Sequence, residues 1–358
     1  MSRLVAALAT MVGVVLLGAA GLFALGRTVG VGPFAPGAPP SWIYVAISRS
    51  GEDGDARDIE RIDFATGDRD IFALDDRAFD IALSRDRRTL YIGSTNGRIF
   101  ELDALRGTVL SVIKLGASGE VRRIIVLPDG GRLLAVTTVV LDSSASLVDL
   151  GTGREKATLA LGNRIIGRSV ARPDPLLSVA DRGSTEQLIT LSLDPFRVRE
   201  ETLLSSAPLR GIPRTAAAAI LAAPDGAVVA LSPFSLRLTV LSADLSDRRG
   251  VDVRLESAPS GSGISVVPGF DGDLALSADG GTIHFCLGTG QRADRFRADI
   301  QGLKLTRVGG ECGRYARLGD GSLYLAVRGK AQLAALDPAT GSVKRTLDLA
   351  GYPQRVAY

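Results

Sequence analysis

Apolar and polar positions alternate in short runs along most of the chain, and turn residues separate the runs. This period of two predicts β-strands with one face buried. Two kinds of connection recur. The first is strand, Pro-Asp-Gly-like turn, strand. "GEVRRIIVLPDGGRLLAV" from Gly119 aligns without a gap with "GECGRYARLGDGSLYLAV" from Gly310. Related forms are "IALSRDRRTLYIG", "SVARPDPLLSVA" and "AILAAPDGAVVALS". The second is a turn opened by Asp: "DFATG" at Asp63, "DALRG" at Asp103, "DLGTG" at Asp149, "DPFRV" at Asp194, "DLSDRRG" at Asp244, "CLGTG" at Cys286 and "DPATG" at Asp337. Successive spacings are 40, 46, 45, 50, 42 and 51 residues.

Seven markers at this spacing, each enclosing four short strands, predict an all-β fold, a seven-bladed β-propeller of four-stranded blades over residues 41–358. We label the strands of a blade A to D from the axis outward. The first unit starts at "SWIYVAIS", a B strand, and the last fragment, "YPQRVAY", is an A strand. The ring is therefore expected to close by strand Gln354–Tyr358 pairing with Trp42–Ser48 of blade 1, which hides two sheet edges.

One segment breaks the alternation. Leu4 to Leu25 is 22 residues without a charge. That length crosses a hydrocarbon core of roughly 30 Å as a helix. Residues 1–25 are expected to be a transmembrane anchor, or else a signal peptide cleaved at Ala24-Leu25-Gly26. The Gly/Pro-rich stretch 26–40 is a linker. Both routes export the propeller. No residue before Leu4 forms a cytoplasmic domain, which counts against a signalling ectodomain.

Composition narrows the chemistry. The net charge is +3, and 37 of the 42 basic residues are arginine, with no tract of five or more. Nucleic acid is therefore not an expected partner. His284 is the one histidine, placed by the period in strand C of blade 6, and it supports no catalytic dyad. Zinc, haem and copper sites need more His or Cys than this chain has, so no metal, cofactor or catalytic residue is expected. The acidic run Glu52 to Asp58 is a solvated turn rather than a calcium loop. Cys286 fills a turn-Asp slot and Cys312 aligns with Val121 at the opposite end of a strand. A strand is about 17–20 Å long and bridged Cα atoms lie within about 7 Å, so the two are expected to stay unbridged.

The connections B–C and D–A share one face of a propeller, and the longest ones fall there: Arg49–Asp58, Ser205–Thr215, Ser257–Gly263 and Arg297–Gly313. Long loops on a rigid scaffold are where binding is placed. An arginine recurs near the start of strand A, at Arg123, Arg168, Arg214, Arg314 and Arg355. Strand A is innermost, so these side chains are candidates to ring the channel mouth and attract an anionic ligand or acidic partner segment. The alternative is that each pairs with a nearby carboxylate such as Glu120, Glu311, Asp75 or Asp76.

The "PDGxxLYV"-like strands and "LDPATG" turns resemble YVTN-type propeller repeats, which share the seven-bladed shape of the methylamine dehydrogenase heavy chain. "ALDPATG" is also similar to quinoprotein alcohol dehydrogenase repeats, whose docking Trp is missing here. The resemblance implies a fold. Three functions stay open on it. The favoured one is a non-catalytic, membrane-anchored, extracytoplasmic binding or assembly module working through its loop face. The second is an enzyme, either a propeller lactonase or a quinoprotein dehydrogenase large subunit. The third is a structural or sensor ectodomain.

Overall fold

In a computed structural model of the protein, residues 41–358 are described apart from 52–53, 182–184, 206–216, 233–234, 254–273, 290–291 and 319–320. The segment Leu4 to Leu25, the linker 26–40, loop Ser257–Gly263 and most of loop Ser205–Thr215 lie outside the described residues. Every regular element among the described residues is a strand, and no described helix is long and apolar enough to cross a membrane.

The strands form seven four-stranded antiparallel sheets. Blade 1 holds β1 (Trp42–Ser48), β2 (Asp58–Asp63) and β3 (Arg69–Ala73). Blade 2 holds β4 (Asp80–Leu83), β5 (Thr89–Gly93), β6 (Arg98–Asp103) and β7 (Val109–Lys114). Blade 3 holds β8 (Glu120–Val126), β9 (Arg132–Val139), β10 (Asp142–Asp149) and β11 (Arg154–Gly162). Blade 4 holds β12 (Arg164–Val170), β13 (Leu176–Asp181), β14 (Glu186–Leu193) and β15 (Phe196–Ser205). Blade 5 holds β16 (Ala219–Ala222), β17 (Val228–Ser232), β18 (Arg237–Leu241) and β19 (Arg248–Asp252). Blade 6 holds β20 (Leu274–Leu276), β21 (Thr282–Thr289), β22 (Arg292–Asp299) and β23 (Leu305–Arg307). Blade 7 holds β24 (Gly313–Arg317), β25 (Leu323–Val327), β26 (Gln332–Leu336) and β27 (Val343–Asp348). The innermost strand beside β1 is β28 (Tyr352–Ala357), paired antiparallel with Tyr44 opposite Ala357 and Ser48 opposite Tyr352.

The core is divided, with one apolar cluster at each junction between neighbouring blades. Strand β1 shows why. Ile43, Val45 and Ile47 pack toward blade 7, while Tyr44 and Ala46 pack toward blade 2. Alternate side chains leave opposite faces of a strand, so a strand buried on both sides needs an unbroken apolar run. Fully burying each of the large side chains contributes about 1.5–3 kcal/mol. Tyr44 brings a polar atom into its junction, and its hydroxyl donates to the Ala104 carbonyl at 2.9 Å. Burial pushes that hydroxyl up to about 12, so it stays a donor.

The Asp turns between strands C and D of blades 1, 2 and 7 repeat one geometry. Asp63 and Asp103 each accept the N–H two residues on, at 2.9 and 2.8 Å, through the side chain. Their carbonyls accept the N–H of Gly67 and Gly107 at 2.8 and 2.7 Å. Asp337 and Gly341 do the same in blade 7, at 2.9 and 2.7 Å.

Blade 6 departs from the expected register. The "CLGTG" stretch is not its C–D turn. Cys286 and His284 lie in β21, the second strand, rather than in strand C. The true turn is opened by Asp299, whose side chain accepts the Gln301 N–H at 2.9 Å and whose carbonyl accepts the Leu303 N–H at 2.8 Å. The expected loop Arg297–Gly313 is thus the end of β22, this turn, β23 and a short connection into β24.

Candidate functional site

The innermost strands converge on a cavity of about 250 Å3. Arg123, Arg168, Arg314 and Arg355, from blades 3, 4, 7 and 1, all line it, and Asp80 is the one side-chain carboxylate among its lining residues. Arg214 lies outside the described residues.

Local strand irregularity aims three of these arginines. In β8 the register slips between Val121 and Arg123, leaving Arg122 as an extra residue. In β28 it slips so that Gln354 is extra, directly before Arg355. In β12, Gly167 and Arg168 together face the span holding Ser178. Such bulges bend a strand and re-aim its side chains, and they recur at the rims of barrels and sites. A Cβ on Gly167 would come within 2.7 Å of the Ala218 carbonyl oxygen, so glycine lets blade 5 approach here.

Two of the arginine heads are held by backbone. Arg355 Nε donates to the Phe79 carbonyl and Nη1 to the Gln354 carbonyl, both at 2.7 Å. Arg123 repeats this pattern, with Nε on the Gly167 carbonyl and Nη1 on the Arg122 carbonyl. Each guanidinium therefore binds its own bulge and the innermost strand, or its approach, in the next blade. Asp80 sits beside one of them: Oδ1 is 3.9 Å from Arg355 Nε.

Three of the four carboxylates named as alternative partners are engaged with other cations. Glu120 pairs with Arg122, Glu311 with Lys330 and Asp76 with Arg98. Burial opposes the charge on Asp76, but hydrogen bonds from Thr95, Ser94, the Arg77 N–H and Arg98 outweigh it and hold the carboxyl at about 2.

A second cavity of about 350 Å3 adjoins the first and shares Arg314 and Arg355 with it. Its lining adds Arg77, Arg122 and Arg328, which the recurrence of strand-A arginines did not reveal. Arg122 is a bulge residue, whereas Arg77 and Arg328 belong to connections, where no period operates. Asp55, from the acidic run, also lines it and pairs with Arg77 at 2.7 Å. The rest of that run is likewise tied to arginine where described: Asp58 lies 2.9 Å from Arg49. No group of three metal-ligating side chains occurs among the described residues.

His284 is away from both cavities. It is buried, and its Nε2 donates to the Pro338 carbonyl at 2.7 Å. Burial lowers its pKa, which keeps the ring neutral and structural. The cysteines correct the expected placement most sharply, though not the expectation that they are unbridged. They do not sit at opposite ends of a strand. Cys286 and Cys312 are buried in one cluster at the junction of blades 6 and 7. Both are free thiols, and both residues line the second cavity.

No family model and no curated protein matches the chain. Many solved structures do. A functionally unknown protein from Desulfotomaculum acetoxidans superposes with a TM-score of 0.65 at 13% identity, over 88% of this chain and 98% of that one. The periplasmic gluconolactonase of Pseudomonas aeruginosa gives 0.61 at 17% identity, over 88% and 98%. The hydrazine synthase of Kuenenia stuttgartiensis gives 0.59 at 14%, over 89% and 99%. At such identity the likeness extends to the fold: the chain is a seven-bladed β-propeller built on the same plan as proteins of unlike activity.

Proposed function

We propose that the protein is an exported, non-catalytic binding module that holds an anionic ligand, or an acidic segment of a protein partner, in the cavity on its axis. The observation carrying this is that arginines from four blades line one cavity with a single side-chain carboxylate, Asp80. Two guanidinium charges about 6 Å apart repel by about 3 kcal/mol at an effective dielectric of about 20. An anion drawn between them relieves that repulsion. Arginine suits carboxylate and phosphate because its fork offers paired donors.

The same proposal takes Leu4 to Leu25 as a membrane anchor, assigns the repeats to the YVTN type and closes the ring through β28. High salt should leave an anchored protein in the membrane pellet. An N-terminus found between Arg27 and Ser41 would replace the anchor by a cleaved signal.

The binding test is a thermal melt with pyrophosphate or citrate against sodium chloride of equal ionic strength. A ligand at one hundred times its Kd adds about 2.7 kcal/mol of stability. The polyvalent anions should raise Tm, and the double variant Arg123→Gln with Arg314→Gln should remove the rise while remaining folded. An unresponsive parent, with a double variant that unfolds outright, would make the arginines structural ties only.

A lactone-opening enzyme is the second reading. The carboxylate of Asp80 beside arginines favours it, since these could hold the carboxylate product. Glucono-lactone hydrolysis that disappears in Asp80→Asn would select this reading. Hydrolysis equal in both proteins would remove it.

A further inference from the structure

We propose that Cys286 and Cys312 are a dithiol–disulfide pair whose oxidation staples blade 6 to blade 7 in the wall of the second cavity. This rests on the register of blade 6 and stands whether or not an anion binds on the axis. Cys286 lies in β21 of blade 6, and Cys312 immediately precedes β24 of blade 7. The chain between them includes β22 and β23. The two side chains are nevertheless buried in one apolar cluster and line one cavity, with the Tyr315 hydroxyl 3.8 Å from the Cys286 sulfur. The main chain holds both ends. The Cys312 carbonyl accepts the Arg328 N–H at 2.8 Å, and Cys286 is laddered to Arg295.

Access and charge favour one class of oxidant. Both cysteines line a cavity large enough for a small molecule, in company with Arg122, Arg314 and Arg328. A cationic wall concentrates anions and disfavours metal cations. The fitting reagent is therefore a disulfide that carries carboxylates. In the first step one Cys thiolate attacks that disulfide, forming a mixed disulfide and expelling one thiolate. In the second step the other Cys attacks the mixed disulfide, forming the Cys286–Cys312 bond and expelling the second thiol. The pair loses two electrons and two protons, and the incoming disulfide becomes two thiols.

Reactivity is restrained. The Cys286 side chain beside it and burial push the Cys312 thiol above the ordinary thiol range. The attacking species is the thiolate, so exchange should be slow near neutral pH and should accelerate as pH rises. Closing the intervening loop restricts the unfolded chain, so the oxidised form should be the more stable one.

The test uses the full chain, reduced, freed of reductant and incubated with oxidised glutathione at mildly alkaline pH. The protein is then denatured, treated with N-ethylmaleimide and weighed intact. The expected mass is lower than that of the reduced chain by two hydrogens, with no label until reductant is added, and Tm rises. In Cys312→Ser a single glutathione should remain on Cys286. Diamide, small and uncharged, repeats the oxidation so that reagent size cannot explain a failure. Two labelled thiols after both oxidants, or glutathione retained on both cysteines of the parent, would overturn the pair.

Discussion

Asp80 joins three blades through its two carboxylate oxygens: Oδ1 faces Arg355 Nε at 3.9 Å, and Oδ2 accepts the backbone N–H of Ile124 at 2.9 Å. Arg355 belongs to the innermost strand of blade 1, Asp80 to that of blade 2 and Ile124 to that of blade 3. An innermost strand has an edge that no neighbour ladders, and Asp80 supplies an acceptor to one of its donors. Asp80→Ala should leave the Ile124 N–H without that acceptor and cost about 1–3 kcal/mol. Asp80→Asn keeps an acceptor oxygen and should cost less. Urea denaturation of the three proteins ranks them. An equal loss in both variants would mean that charge, not the hydrogen bond, is what matters.

Deleting Tyr352–Tyr358 removes β28 and uncovers the edge of β1, whose Ala46 and Val45 stand opposite Arg355 and Val356. An exposed, apolar strand edge templates association. Aggregation, or loss of a cooperative melt, is the expected outcome by light scattering and calorimetry. A monomeric variant with an unchanged melting curve would show that ring closure does not depend on this strand.

Glu60 is fully buried in β2. One carboxylate oxygen accepts the Ala350 N–H at 2.7 Å, and Arg69 lies 3.5 Å from the other. Burial raises its pKa above the ordinary 4.5 against those two favourable contacts. The folded state therefore holds the proton more tightly than the unfolded one. Stability from this group is full below pH 4.5 and is lost as pH climbs through the raised folded value. Glu60→Gln should flatten that decline and be no less stable than the parent at pH 7. Denaturant midpoints from pH 4 to 8 would reveal it. A steeper decline in the variant would mean that the ion pair with Arg69 dominates.

Gly67 and Gly107 hold the same place in the turns of blades 1 and 2, with φ of +83° and +68°. A Cβ on Gly107 would meet the Phe72 ring at 2.1 Å, while one on Gly67 meets nothing within 4 Å. Gly67→Ala should cost about 1 kcal/mol, the backbone penalty alone. Gly107→Ala should cost about 1–3 kcal/mol more, the scale of core overpacking. Thermal melts of the two variants separate backbone strain from collision. Equal losses would mean that Phe72 moves aside freely.

The blade plan was legible because it rests on local chemistry. Asp63, Asp103 and Asp337 open turns by bonding their own backbone, and that requirement leaves a recurrent mark along the chain. The meeting of Arg123, Arg168, Arg314 and Arg355 was legible for a related reason: they fall at matching points of four innermost strands. Blade 6 was not legible. "CLGTG" has the composition of a turn but is held as strand by pairing of Leu287 with Asp294. The actual turn at Asp299 ends in Leu303, at a φ of +49°, where the turns of blades 1, 2, 3 and 7 use Gly67, Gly107, Gly153 and Gly341. A misplaced turn moved every residue of the blade, and so concealed that Cys286 meets Cys312. Arg77 and Arg328 come from connections whose path is set by tertiary packing, which leaves no repeated spacing.

The bulges beneath Arg123, Arg168 and Arg355 give the molecule a modular interior. Ladder pairing resumes on either side of each slip, with Arg123 opposite Val136 and Arg355 opposite Ala46. The innermost strands thus act as sockets, each presenting an axial side chain without disturbing the ladder beyond it. Swapping arginine for glutamate at successive sockets would lower the positive charge of the axial cavity in graded steps, on a wheel whose spokes stay the same.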